Sequence, residues 1–198
     1  MTDPVITPQK QAILDAAQGL FARHGYEGLS IRDLAAECGL AKATIYHHFR
    51  DKQDIFMNVL ERDAGCVHAQ IMAAAKREPD PLSKLRVVVH TYCGLISERR
   101  SIVLTTLREV TGMEDKLRRF AMMNKQVFLG PLAAIVQQGI DEGVFRPVDT
   151  EMSALSLLGM LHGFVTFQLI AQDREIGSDV ADHVLSLFLH GICVRDSQ

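Results

Sequence analysis

The residues of this chain best suited to chemistry with a partner crowd into the stretch AKATIYHHFRDK: Lys42, Thr44, Tyr46, His47 and His48, with Lys52 just beyond. They supply an ammonium, hydroxyls and imidazoles, and nothing between Lys42 and Phe49 is acidic. On a short helix such a face suits the major groove of DNA, where base edges offer acceptors and methyl groups and phosphates flank them. Other sets carry their chemistry less well. His47 and His48 are adjacent, so they point to different helix faces and do not share a metal. Cys66, His68, His90 and Cys93 are types that suit zinc or copper and support an alternative, metal- or redox-responsive reading, but their spacing does not force convergence. Cys38 reads as a small buried thiol, with an oxidation switch as its alternative. The acidic pairs Glu114-Asp115 and Asp141-Glu142 read as caps or solvated faces. No phosphate loop or nucleophile elbow is present, so no catalytic residue, cofactor or metal is expected.

The donor-rich stretch needs elements to aim it. Ser30 can cap a helix by accepting from the amide of Asp33, which occupies the capping-box position. Ile31, Leu34 and Ala35 give that helix an apolar face at helical spacing. Gly39 stands where it must stop, because a residue without Cβ takes the left-handed conformation cheaply. A second helix, Lys42 to Phe49, follows at once and turns Ile45 and Phe49 inward. Two helices joined by a short Gly turn form a helix-turn-helix.

Residues Ile13 to Leu60, through ILDAAQGLFARHGYEGLSIRDLAAECGLAKATIYHHF and the following RDKQDIF, resemble the N-terminal domain of the TetR/AcrR family of transcriptional regulators. The resemblance implies that Lys42, Thr44, Tyr46, His47 and His48 face the groove. Thr44 and His47 then reach bases, while Tyr46, His48, Ser30 and Lys52 meet phosphates, with Arg32 supporting the same edge. Ala41 departs from the serine or threonine often found there, so one phosphate contact would be missing. A lysine at the first turn of a helix opposes the macrodipole, and a phosphate there reverses the sign.

The chain has 198 residues, 47% of them hydrophobic, enough for a small domain and a larger one. Its formal net charge of -3 excludes a generally basic coat, so DNA affinity must come from local placement. The cysteines are scattered and no CxxC pair occurs, which reads as a reducing, cytoplasmic protein without a disulfide framework. No N-terminal apolar run suggests a signal or a span, and the interrupted apolar stretch from Ala154 to Ala171 reads as a buried helix. Met1 to Thr7 reads as a loose arm.

The expected architecture is all-α with about nine helices: a three-helix helix-turn-helix domain over residues 8–54 and a larger helical ligand-binding and dimerisation domain over 55–198. The expected helices run from Pro8 to His24, through the reading unit, then Asp51 to Lys76, Leu82 to Glu98, Ile102 to Val110 and Glu114 to Glu142. The last of these is kinked or broken at Gly130-Pro131, because proline has no amide to donate. Two more run from Asp149 or Thr150 to Gln172 and from Asp179 to Val194. The final pair is too apolar for one subunit to cover. Leu155, Gly159, Gly163 and Phe167, with Val184, Leu187 and Phe188, are therefore expected to form a four-helix seam with a second copy. The family resemblance implies the same homodimer, a palindromic operator on double-stranded DNA, and a pocket for a small apolar or amphipathic ligand. Tyr92, Leu107, Phe120, Asn124, Phe128 and His162 are the candidates for lining it. The function implied is a ligand-responsive repressor released from its operator by an inducer. A helical enzyme and an adaptor without DNA binding are the other classes. The first lacks a catalytic pair, and the second would not need the donors of the reading helix.

Overall fold

The computed structural model describes residues 7–100, 125–171 and 176–194. The expected helix Ile102–Val110, the first part of the next, and the candidates Leu107, Phe120 and Asn124 lie outside the described residues, as does most of the N-terminal arm. Among the described residues the chain forms eight α-helices: α1 (Pro8–Gly28), α2 (Ile31–Cys38), α3 (Lys42–His48), α4 (Lys52–Ala75), α5 (Pro81–Glu98), α6 (Gly130–Asp141), α7 (Thr150–Thr166) and α8 (Ser178–Ile192). Two compact units divide them, one ending at Ala64 and the other beginning at Gly65.

In the first unit, α1 starts under a side-chain cap from Thr7 and is interrupted at Gly25, whose φ of 70° and ψ of 179° are not helical. The helix therefore gives way where the sequence predicts, and a short turn carries it on to Gly28. Ile13, Leu14, Ala17 and Phe21 of α1 are buried with Leu34 of α2, Ile45 of α3 and Ile55, Phe56 and Val59 of α4. The rings of Phe21, Tyr26 and Phe56 meet at centroid distances of 5.0 to 5.9 Å and close the end of this core. Arg62 of α4 bonds Asp15 at 2.6 Å and Gln18 at 2.8 Å, fixing α4 along α1.

In the second unit, Asp80 caps α5 by accepting from Ser83, and Asp149 caps α7 by accepting from Met152, each at 2.9 Å. At Gly130-Pro131 the chain changes helix type. A π-helical turn over Lys125–Leu129 runs directly into α6, with Pro131 in its first turn. The wider turn lets the run pass a residue that has no amide to donate. After α6, Gly143 takes φ 72°, and Phe145 pairs with Cys193 in an isolated antiparallel bridge, the one piece of β pairing among the described residues. Helix α7 with the turn after it, Thr150–Leu169, is long and apolar enough to cross a membrane by length and composition, with a mean hydropathy of 1.4. Ala154, Leu157, Leu158, Leu161 and Val165 form its buried stripe, while Met152, Leu155 and Phe167 are exposed.

Candidate nucleic-acid interface and effector region

Helix α3 is held from behind. Ile45 is fully buried and Phe49 is 2% exposed. Burying two such side chains contributes about 1.5–3 kcal/mol each. That outweighs the roughly 1 kcal/mol forgone because Ala41 offers no side-chain cap. The angle to α2 is set by Gly39, which adopts the left-handed conformation at φ 64° and donates its amide back to α2. What remains outside is Lys42, Tyr46 and His47, all exposed, with Tyr46 at 54%. Thr44 and His48 are half-buried.

Four of the sequence candidates already have partners. Ser30 accepts from the Asp33 amide at 3.1 Å and donates its hydroxyl to the Asp33 carboxylate at 2.5 Å. That bond, offset by partial desolvation and helped by Arg32, holds the Asp33 carboxyl below the usual range. The expected phosphate contact would require Ser30 to give up this proton. Arg32 itself is 78% exposed and 3.6 Å from Asp33. His48 bonds Gln9 of α1 through Nε2 at 2.9 Å. Lys52, expected to meet a phosphate, is only 22% exposed and ion-pairs with Glu27 at 3.7 Å. It also donates to the Glu27 carbonyl at 3.3 Å, and its ammonium lies 4.4 Å from the Tyr26 ring centre. Sequence reasoning missed Gln9, Tyr26 and Glu27. Each is brought in by α1, and no local spacing reports a contact between residues so far apart in the chain. Before α4, Asp51 accepts from the Asp54 amide at 2.7 Å, and the Asp54 carboxylate accepts from the Arg50 amide at 3.1 Å. This reciprocal cap explains why a lysine is tolerated in the first turn.

In the second unit a row of rings crosses from α4 to α7. His68 meets Phe128 edge-on at 4.9 Å, Phe128 meets Tyr92 at 6.5 Å, and Tyr92 meets His162 at 5.8 Å. Three of these were candidates for the pocket, and His68 joins them. The Nδ1 atom of His68 is buried without a hydrogen-bond partner among the described residues. Burial holds its imidazole below the usual range, and it pushes the Tyr92 hydroxyl up, so both are neutral at neutral pH. His162 keeps its outer side open on α7, yet crowding also lowers its pKa, partly opposed by a backbone hydrogen bond with Leu158. The metal-type set does not converge. His90 bonds Asp182 at 3.0 Å, and Cys66 is exposed while Cys93 is buried. Among the described residues no group of three or more His, Cys, Asp or Glu is placed to hold a metal. Burial pushes the Cys93 thiol up to about 11, which keeps it protonated and unreactive.

The seam candidates separate into two kinds. Leu155, Gly159 and Gly163 on α7, Phe167 just after it, and Leu187 on α8 are exposed. Val184 and Phe188 are buried at 0% and 5% exposure, because α8 turns that side toward its own subunit. A groove of about 310 Å³ runs between the two helices, lined in part by Met152, Met160, Leu187 and Phe188.

Comparison with known proteins agrees with this layout. The family described as "Bacterial regulatory proteins, tetR family" matches residues 13–59, and "Tetracyclin repressor-like, C-terminal domain" matches residues 78–166. The HTH-type transcriptional regulator AcrR of Shigella flexneri is 28% identical over 200 residues, covering 90% of this chain and 86% of that protein. The regulator FadR of Bacillus subtilis, solved with stearoyl-CoA, shares the fold at a TM-score of 0.78 and 22% identity, over 92% of this chain and 98% of that one. A regulator from Saccharomonospora viridis solved with choline has a TM-score of 0.74 and 26% identity, over 93% and 97%. With the reading helix, its Gly turn and the helical second unit all matched, the chain belongs to the TetR family of bacterial DNA-binding transcriptional regulators.

Proposed function

We propose that this chain is a homodimeric repressor that reads a palindromic operator with α3 and lets go when a small organic effector enters its second unit. The observation that carries the reading is the division of α3: Ile45 and Phe49 are locked in the core, and a wholly non-acidic face, led by Lys42, Tyr46 and His47, is left to solvent. In this reading Thr44, His48, Ser30, Arg32 and Lys52 supply the further contacts. A core-locked helix can enter a groove without first paying an ordering cost.

The partner subunit is a second copy of this chain. The exposed strip of α7 and the turn after it, with Leu155 and Phe167 at either end of Gly159 and Gly163, leaves apolar surface and a close-approach track to cover. Two copies place two reading helices on half-sites about one turn of DNA, or a multiple, apart. The effector is apolar or amphipathic, in keeping with the neutral rings of Tyr92, Phe128, His162 and His68. Relatives of this fold solved with stearoyl-CoA and with choline support an organic ligand. Helix α4 is unbroken from the Lys52 turn to the segment that carries His68, so an effector that shifts one end biases the other.

Selection of bound duplexes from a randomised pool tests this. Recovery of an inverted repeat whose half-sites lose enrichment with Tyr46→Ala supports the reading. Recovery of no common sequence overturns it.

A further inference from the structure

The bond between Gln9 and His48 joins the first turn of α1 to the last turn of the reading helix at 2.9 Å. Its polarity constrains the chemistry. The acceptor is the Gln9 carbonyl oxygen, so His48 donates through Nε2–H. A neutral imidazole carries one N–H only, and here it is spent on Gln9. The nitrogen left for a partner is Nδ1, which in the neutral ring can only accept. A phosphate oxygen also only accepts. A hydrogen bond from His48 to DNA backbone therefore requires the imidazolium.

We propose that Gln9 is a positioning residue that commits His48 to contact phosphate in its protonated form, so that operator binding takes up a proton at this site. The inference rests on the reading of α3 as the DNA-contacting helix. The groups that can carry charge around His48 are few. On α3, the His47 ring stands 5.3 Å away, centre to centre. On α1, Lys10 places its ammonium 5.3 Å from the Phe49 ring centre, next in sequence to His48. Beyond α3, Arg50 is paired with Asp54 of α4 at 3.8 Å. An arriving phosphate adds a negative charge that favours the charged ring. Gln9 is exposed, so replacing it removes little packing.

The test is fluorescence anisotropy of the full chain with a duplex selected from a randomised pool, at fixed salt, between about pH 8 and about pH 6, a window spanning the ordinary histidine range. Wild type should bind more tightly as pH falls, approaching about tenfold per pH unit for each proton taken up. His48→Gln should flatten that slope while His47 is still present. Gln9→Leu releases the tautomer, so that the neutral ring can carry its proton on Nδ1 and donate it to the phosphate, and should flatten it likewise with little loss of affinity near pH 8. Gln9→Glu sets a carboxylate against the ring and should move the rise to higher pH. A merely structural Gln9 would lower affinity equally at all pH values. A wild-type slope retained in Gln9→Leu overturns the inference while leaving the reading helix intact. Absence of DNA binding by wild type at every pH overturns both.

Discussion

The ammonium of Lys52 rests 4.4 Å from the centre of the Tyr26 ring. This lysine belongs to two interactions, one inside the fold and one proposed at the DNA. A cation over an aromatic face contributes about 0.5–1 kcal/mol where water is near. Lys52→Ala should thus lower unfolding free energy by roughly that amount in denaturant titration. It should also weaken operator binding and reduce the slope of log K against log salt by about 0.9, the value for one phosphate. A variant that loses stability but keeps the wild-type salt slope would mean that Lys52 stays on Tyr26 in the complex.

Gly139 lies in α6 directly under the Phe145 ring, which is 1% exposed, and a Cβ at that position would fall inside the ring. Gly139→Ala should lower the thermal midpoint, by a cost of about 1–3 kcal/mol or more for overpacking, despite alanine's better helix propensity. Gly65→Ala in α4 meets nothing within 4 Å of the new Cβ among the described residues and should instead raise stability by up to about 1 kcal/mol. Opposite signs in paired melts check the contrast.

Leu155 and Leu187 are 50% and 52% exposed in the single subunit. Leu155→Glu combined with Leu187→Glu should leave helical content unchanged while shifting sedimentation from dimer to monomer at micromolar concentration. Operator affinity should fall with it, since one reading helix holds half a site. A dimer that survives both changes would place the seam elsewhere.

Burial lowers the pKa of both His68 and His162. Below the ordinary value of about 6.5 the unfolded chain takes up protons that the folded chain refuses. Stability should be fully present above that value and decline as pH falls toward the folded values. The midpoint of thermal unfolding should drop between about pH 7.5 and about pH 5.5, and His68→Leu should make that drop shallower. An equal drop in the variant would assign the acid sensitivity to other groups.

Much of the first unit is legible in the chain because its determinants are local. The Ser30 cap, the left-handed Gly39 and the inward pair Ile45 and Phe49 are read from neighbours in sequence, and each occurs in the structure. The ties of Lys52 to Tyr26 and of His48 to Gln9 are not legible, since they depend on how α1 packs. In the second unit, Val184, Leu187 and Phe188 look alike as apolar residues, and only packing shows that Leu187 faces outward. The same holds for His68: its type suggested a metal ligand, but it packs on the Phe128 ring, with its own Nδ1 buried and unpaired among the described residues.

The most direct measurement is anisotropy with a pool-selected duplex and a scrambled duplex at two salt concentrations, for wild type and for Lys42→Ala with Tyr46→Ala. Tight, salt-dependent binding that favours the selected duplex, and that collapses toward the scrambled level in the double variant, is the expected result. Equal binding by wild type and variant, or no binding even at low salt, would show that α3 is not the reading helix.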